Sequence, residues 1–284
     1  MNVGEALDDA VRTLEAAGVE SPTANAEWLM VHLLNCSRPE LALRAEEPLT
    51  DPLRARWQQL LTQRAQRIPL QHLVGTVDFC GLELAVNRQV LVPRPETELL
   101  AEAAWSVAAA MEAPAVLDLG TGSGCLAIAV AVHAPDSAVH AVDISPQALQ
   151  VARANAERHG LGARVQFYEA ELQHAPPLPG LMDVIVSNPP YIPSAEIATL
   201  AVEVRDHDPH VALDGGEDGL VCYRHIAEEY LSRLQPHGRM LLEVGDGQAP
   251  EVAEILEQRG GRVLEVVPDL NNIERIVVAS PAIP

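Results

Sequence analysis

A chain of 284 residues with 48% hydrophobic residues can bury a sizeable core, and it exceeds one average domain while falling short of two large ones. Its formal net charge of −21 argues against a protein whose main partner is a nucleic-acid backbone, because phosphate contacts need clustered Arg or Lys. The four cysteines, Cys36, Cys80, Cys125 and Cys222, are far apart and form no CxxC pair, which argues against a zinc ribbon or a disulfide framework and fits reduced thiols in the cytoplasm.

The first residues, "MNVGEALDDAVRTLEAAG", are acidic and amphipathic, with no basic region leading into an apolar run, so no secretory leader is expected. No apolar run is long enough to span a bilayer. Ala6, Leu7, Ala10, Val11 and Leu14 follow helical spacing, and Gly18 is a candidate C-cap. Ser21 and Pro22 form an N-cap followed by Pro at N1, opening a second helix through Trp28, Leu29 and Leu33. Thr50 caps a further helix, and Trp28 and Trp57 are assigned to the core. These elements make a helical domain over 1–72. The stretch from Val74 to Val86 alternates and turns at Gly81, a β-hairpin within a linker over 73–92.

From Val90 the chain runs extended, turns at Pro93-Arg94-Pro95 and enters a helix. From Ala115 strands and helices alternate: "AVLDLG", "GCLAIAVAVHA", "AVHAVDI", a helix capped by Ser145 with Pro146 at N1, "ARVQFYEAEL", "LMDVIVSNPPY", then the strands "GRMLLEVG" and "RIVVAS". This order implies a doubly wound parallel sheet in an α/β domain over 93–284.

Two stretches carry chemistry. "LDLGTGSGCLAI" sets Asp118 and then Gly120, Thr121, Gly122, Ser123 and Gly124 between a strand and a helix. Glycines let the backbone turn tightly and approach a ligand, and the helix N-terminus faces it. Asp143, followed by Ile144, ends the next strand, where a carboxylate can accept both ribose hydroxyls. The spacing is G-x-G-x-G rather than the dinucleotide G-x-G-x-x-G, and an acid precedes the loop. An acid repels pyrophosphate and suits an ammonium or sulfonium, which favours S-adenosylmethionine over a nicotinamide cofactor.

The second stretch is Asn188-Pro189-Pro190-Tyr191, at the end of the fourth strand of the alternating region, where ligands of open α/β sheets bind. An amide nitrogen is a poor nucleophile because its lone pair is delocalised. The Asn188 side-chain oxygen and the Pro189 carbonyl can accept its two N–H bonds, the second proline keeps that carbonyl rigid, and Tyr191 can pack on the planar group. Transfer then depends on proximity and orientation.

These residues resemble class I S-adenosylmethionine-dependent methyltransferases of the amino-nitrogen type, with the signature (N/D/S)-P-P-(Y/F/W). Phe79 to Leu100, "DLGTGSGCLAIAVA", "VDISPQALQVARANA", "VSNPPYIP" and Asp208 to Leu220 together resemble the release-factor glutamine methyltransferase family, of the HemK/PrmC type. That resemblance implies a seven-stranded sheet with an antiparallel last strand behind a small helical substrate-binding domain. It implies methyl transfer to N5 of the glutamine in the GGQ motif of peptide chain release factors, with S-adenosylhomocysteine as product, no metal, no direct contact with nucleic acid and no membrane. It implies that Gly120 to Gly124 line the methionine part of the cofactor, that Asp143 binds the ribose, that Glu171 and Leu172 flank the adenine, and that Asn188 binds the target amide. The chain departs from the family pattern at Glu171, usually Asp, at Leu172, where an aromatic is common, at Asp208-Pro209, and in "DLNNIERIVVA", which lacks a glycine. The alternative readings are a glutamine methyltransferase of a ribosomal protein, whose segment at Pro93–Glu98 differs, and an amino-methyltransferase of DNA or rRNA adenine, which the net charge opposes.

Four other positions stand out. His207 and His210 lie near Asp206 and Asp208, as a solvated loop rather than a metal site. Glu243 ends the "LLEVG" strand and buttresses the sheet edge or acts near the site. Arg94 pairs with an acid across a domain seam or positions substrate.

Overall fold

A computed structural model of the chain describes residues 1–282 and resolves them into two compact units. One comprises Met1–Thr76 with Ala201–His207. Its helices are α1 (Val3–Ala16), α2 (Pro22–Leu34), α3 (Arg38–Leu43), α4 (Asp51–Ala65) and α5 (Leu70–Val74). The start of α1 is held by a capping box in which Asn2 Oδ1 accepts from the Glu5 N–H at 2.8 Å and Glu5 Oε2 accepts from the Asn2 N–H at 2.8 Å. Ala17 is the C-cap and Gly18, at φ +69°, takes the left-handed turn that ends the helix. Ser21 and Thr50 occupy the N-cap positions of α2 and α4, but neither side chain makes a capping bond; each helix instead has a proline in its first turn, whose fixed φ is already helical.

Val3, Leu14, Leu29, Met30, Trp57, Leu60 and Leu61 pack as the core of this unit. The assignment of both tryptophans to the core is corrected: Trp57 is buried, but Trp28 is 46% exposed, with the Arg38 guanidinium 5.5 Å from its ring centroid. On α2 it is Ala26, Leu29 and Met30 that turn inward. A short helix from the distant part of the chain, α9 (Val202–His207), belongs to the same unit. Its Glu203 carboxylate accepts from Arg67 Nε at 2.6 Å, from Arg67 Nη2 at 2.5 Å and from Arg64 Nη2 at 2.9 Å. Burial pushes the Glu203 carboxyl up, but the two guanidinium groups outweigh it and hold it at about 2.

The second unit, Val77–Leu200 and Asp208 onward, is built on a seven-stranded sheet. A hairpin of β1 (Thr76–Phe79) and β2 (Leu82–Ala85) leads to α6 (Pro95–Ala109). Then follow β3 (Ala115–Leu119), α7 (Cys125–His133), β4 (Ala138–Asp143), α8 (Pro146–Arg158), β5 (Val165–Glu169) and β6 (Met182–Ser187). After α9 come α10 (Val221–Tyr230), β7 (Leu234–Glu243), α11 (Ala249–Gln258), β8 (Gly261–Pro268) and β9 (Glu274–Pro281). The strand order is β5-β4-β3-β6-β7-β9-β8, parallel from β5 to β7, with β9 antiparallel to both of its neighbours.

Side chains alternate across the central strands, as the pleat requires. Val116, Val184 and Val186 face the layer of α6 and α7, while Leu117, Leu119 and Ile185 face that of α10 and α11. The chain order reverses between β3 and β6, which pair directly with Leu119 beside Ser187. This is the switch point of a doubly wound sheet, and the loops that leave it diverge to form a crevice.

Candidate functional site

The loop after β3 owes its shape to glycine. Gly120, Gly122 and Gly124 lie at φ +71°, +56° and +85°. A Cβ on Gly124 would sit 3.1 Å from both Ala152 Cβ and Ile128 Cδ1, so the residue lets α7 start close against α8. A Cβ on Gly120 would meet nothing within 4 Å, because the backbone there faces open space.

Two acids tie this loop down. Asp118 is fully buried, and its Oδ2 accepts from Thr121 Oγ1 at 2.6 Å and from the Ala127 N–H at 3.1 Å. Its Oδ1 has no hydrogen-bond partner. Burial pushes the Asp118 carboxyl up to about 7, against the pull of its two donors. Asp143, 9% exposed, accepts from the Gly122 N–H through Oδ2 and from the Ser145 N–H through Oδ1, each at 2.8 Å, and burial raises its pKa. Asn155 supports the loop from below: Nδ2 donates to the Ser123 and Ala85 carbonyls at 2.9 Å each, and Oδ1 accepts from the Ala85 N–H at 2.7 Å.

The loop after β6 is stiffened differently. Pro189 is buried, and Asn188 donates through Nδ2 to Thr97 Oγ1 at 3.0 Å. The Tyr191 carbonyl accepts from Gln248 Nε2 at 2.9 Å, and Ile192 pairs with the chain at 213–215 through its N–H to Leu213 O (3.1 Å) and its carbonyl to Gly215 N (2.9 Å). A Cβ on Gly215 would come within 2.9 Å of the Pro190 carbonyl and 2.8 Å of Gly219 Cα. The glycines of "LDGGEDG" therefore let a second backbone segment press against the prolines.

Both loops open on one cavity of about 260 Å³. Of the residues expected from the sequence, Gly120, Gly122, Asp143, Ile144, Leu172, Asn188 and Pro190 line it. Asp118, Thr121, Ser123, Gly124, Glu171, Pro189 and Tyr191 are not among its lining residues. For Asp118 this corrects the expectation of an acid facing the ligand: its carboxyl is spent inside the loop. Thr121 and Ser123 are buried, Glu171 is exposed, and the Tyr191 ring packs against the core on the β7 side, where burial raises its phenol.

The cavity wall also holds residues that sequence reasoning left out. Val90 and Leu91 come from the extended run before Pro93, and Val211, Asp214 and His225 from the segment after Asp208. The apolar run at 90–92 was the visible signal for the first pair, while nothing local marks His225 as cavity-facing. The lining includes Asp143, Asp214 and His225 and no Arg.

Arg94 donates to Asp208 at 2.5 Å, and both belong to the sheet unit, so the expectation of a pair across a domain seam is corrected. His210 is exposed and 3.8 Å from Asp214. Among the described residues no group of three His, Cys, Asp or Glu could hold a metal ion. Glu243, 4% exposed, ends β7 one residue beyond the Ser187–Leu242 pair, beside Asn188.

Comparison with known proteins agrees with this architecture. Residues 5–75 match the model of the PrmC N-terminal domain and residues 96–240 that of the methyltransferase small domain. The chain is 42% identical over 282 residues to the release factor glutamine methyltransferase of Deinococcus radiodurans, covering 99% of each chain. It is 41% identical over 278 residues to that of Koribacter versatilis, covering 98% of each. A crystal structure of a methyltransferase from Pyrococcus furiosus shares the fold, with a TM-score of 0.54 at 18% identity, over 82% of this chain and 100% of that one. Near-complete coverage at this identity, across both units, places the chain in the release factor glutamine methyltransferase family.

Proposed function

We propose that the protein methylates N5 of the glutamine side chain in the GGQ motif of peptide chain release factors, using S-adenosylmethionine. The observation that carries this reading is the meeting of Asn188 and Pro190 with Gly120, Gly122 and Asp143 on one cavity wall, in a chain similar end to end to proteins of that name.

The cavity fits the cofactor. Gly120 and Gly122 offer backbone without side chains, Asp143 keeps free lone pairs beside the two N–H groups it already accepts, and Ile144 and Leu172 supply apolar walls for a planar base. Acidic groups without an Arg suit a cationic ligand and oppose a pyrophosphate. Gly120 to Gly124 would hold its methionine part, Asp143 the ribose, and Leu172, with Glu171 at the rim, the adenine. When bound, S-adenosylmethionine supplies the methyl as an electrophilic carbon on its sulfonium and leaves as S-adenosylhomocysteine.

The chain's own part is orientation. Asn188 Oδ1 and the Pro189 carbonyl accept the two N–H bonds of the target amide, which draws its nitrogen out of conjugation. The clamp's stiffness, from two prolines and the backbone pressed against them, keeps the nitrogen aimed and adds to the rate through proximity. No strong base is needed, since the nitrogen becomes far more acidic as the new bond forms and its surplus proton is lost to water. Tyr191 ends the clamp, tied there by Gln248, which donates to its carbonyl.

In this reading the helical domain, 1–72, holds the release factor, 73–92 links it to the catalytic domain, 93–284, and the enzyme works in the cytoplasm beside the translation machinery. Supporting this are the N-terminal family match at 5–75, four free cysteines, and, among the described residues, the lack of any helix long and apolar enough to cross a membrane. The test is mass spectrometry of the GGQ peptide after incubating the protein with cofactor and an unmethylated release factor. One methyl on that glutamine, absent with Asn188→Ala, is the expected result. No gain, with cofactor binding shown separately, would move the target elsewhere.

A further inference from the structure

The segment Pro93–Glu98 is explained neither by the cavity nor by the clamp, yet it delivers a buried side chain to Asn188. Thr97, in the first turn of α6, is 2% exposed, and its hydroxyl accepts from Asn188 Nδ2 at 3.0 Å. Glu243 closes the same cluster from the end of β7, with the Thr97 hydroxyl and the Asn188 amide against its carboxyl and with Oε2 lacking a hydrogen-bond partner.

We propose that Thr97 and Glu243 are positioning residues that fix which way the Asn188 amide faces, so that Oδ1 and not the NH2 group is turned to the substrate. This rests on the methyl transfer proposed above. An amide can rotate by 180° at little steric cost, and the wrong rotamer would set NH2 against the NH2 of the target. A threonine hydroxyl has one proton. When it donates that proton to the Glu243 carboxylate, its lone pairs are left to receive Asn188 N–H. An ionised Glu243 accepts only, so it too demands the NH2 group of Asn188. A protonated Glu243 can donate to Oδ1 and loses this selectivity.

The protonation state therefore matters. Burial pushes Glu243 up to about 7, against Thr97, Arg275 and Asn188, which pull it down, while Glu96 adds to the rise. The other titratable groups that sense it are Tyr191 after β6, Tyr223 on α10, whose hydroxyl donates to the Glu243 carbonyl at 2.8 Å, and Cys125 on α7. Ionised above about 7, Glu243 holds the productive rotamer; protonated below it, Glu243 releases it.

The experiment has an arm that needs no substrate. In 15N-labelled full-length protein, the side-chain NH2 resonances of Asn188, assigned by their loss in Asn188→Ala, should move through a transition near pH 7. Glu243→Gln should abolish the transition, and Thr97→Val should shift the resonances and speed their exchange. NH2 resonances of Asn188 indifferent to both substitutions and to pH would overturn the proposal, whether or not release factors are substrates.

The second arm measures methyl transfer to the release factor. Turnover should rise through the same pH in the wild type and be flat in Glu243→Gln. Thr97→Val should lower kcat about tenfold, the worth of one hydrogen bond, with cofactor Kd unchanged, and Thr97→Ser should restore it. Equal loss in the Val and Ser variants would show a packing role and reject positioning. If the wild type itself leaves the glutamine unmodified, the functional reading fails while the resonance arm still decides the placement of Asn188.

Discussion

The loop after β3 and the loop after β6 leave neighbouring strands at the same level of the sheet, and they face the same cavity. The first is made of the most flexible residues and is held by carboxylates, with Asp118 gathering a hydroxyl and a backbone N–H and Asp143 gathering two backbone N–H groups. The second is made of the stiffest residues and is backed by another stretch of main chain, with Gln248 and the chain at 213–215 bonding its carbonyls and amides. The difference follows from what each loop must present. A cofactor lying along a backbone needs the absence of side chains, and glycine then leaves rigidity to be supplied by neighbours. A clamp for an amide needs one carbonyl and one side-chain oxygen at fixed positions, and proline supplies rigidity covalently.

The largest effects should separate the two loops. Asn188→Ala removes an acceptor that the target amide meets during transfer, so turnover should fall about 100- to 1000-fold, in line with the loss of a single aimed polar group in other enzymes. Its cofactor affinity should hardly change. Asp143→Ala should do the reverse: cofactor Kd rises about 10- to 100-fold as ribose contacts and the Gly122 and Ser145 anchors go, while turnover at saturating cofactor falls less. Calorimetry of cofactor binding beside single-turnover methylation measures both. Equal loss of affinity and turnover in either variant would break the division.

A smaller effect should show where rigidity comes from. Asn155 is 1% exposed and joins α8 to both β2 and the glycine loop by three bonds. Asn155→Ala should cost about 2–3 kcal/mol in denaturant unfolding, because it leaves buried backbone groups unpaired. In the β6 loop the prolines are stiff on their own, and the Tyr191 carbonyl is bonded by Gln248, a side chain that is only part-buried. Gln248→Ala should therefore cost less, about 1 kcal/mol. An inverted order would mean that the prolines contribute little to stiffness.

How far the sequence disclosed this site depends on the range of the interactions. The alternation of strands and helices, the glycine loop with Asp143, and Asn188–Tyr191 were legible because each is a local pattern with a local cause. The strand β8 was not singled out. Its Gly261–Pro268 stretch carries Arg262 and Glu265 and has no buried residue, as an outer strand can, so no alternation of apolar and polar positions marks it. The membership of α9 in the helical unit was invisible, since Glu203 meets Arg64 and Arg67 across more than a hundred residues of chain. Sequence order sets Asp118 beside the loop and suggests that it faces the ligand, but strand register points it inward. Thr97 and Asn188 are 91 residues apart, and only the pairing of β6 with β7 brings Glu243 to them.

A further effect, set by pH, concerns the acid beneath the glycine loop. Both of Asp118's donors reach Oδ2, and Oδ1 has none, so a proton on Oδ1 breaks no existing hydrogen bond. Burial raises the folded-state pKa from 3.8 to about 7. A carboxyl raised on folding contributes stability that is fully present below its unfolded value and is lost as pH rises through its folded value. Between pH 6 and pH 8 that loss should be about 1.4 kcal/mol. Asp118→Asn can keep its oxygen on Thr121 and Ala127 and place an uncharged NH2 where the proton was. It should then lose about 1.4 kcal/mol less than the wild type over the same range in denaturant unfolding, while Glu243 titrates alike in both proteins. Parallel losses in the two proteins would mean that Asp118 is ionised throughout, and that the glycine loop is held by a charge rather than by a neutral acid.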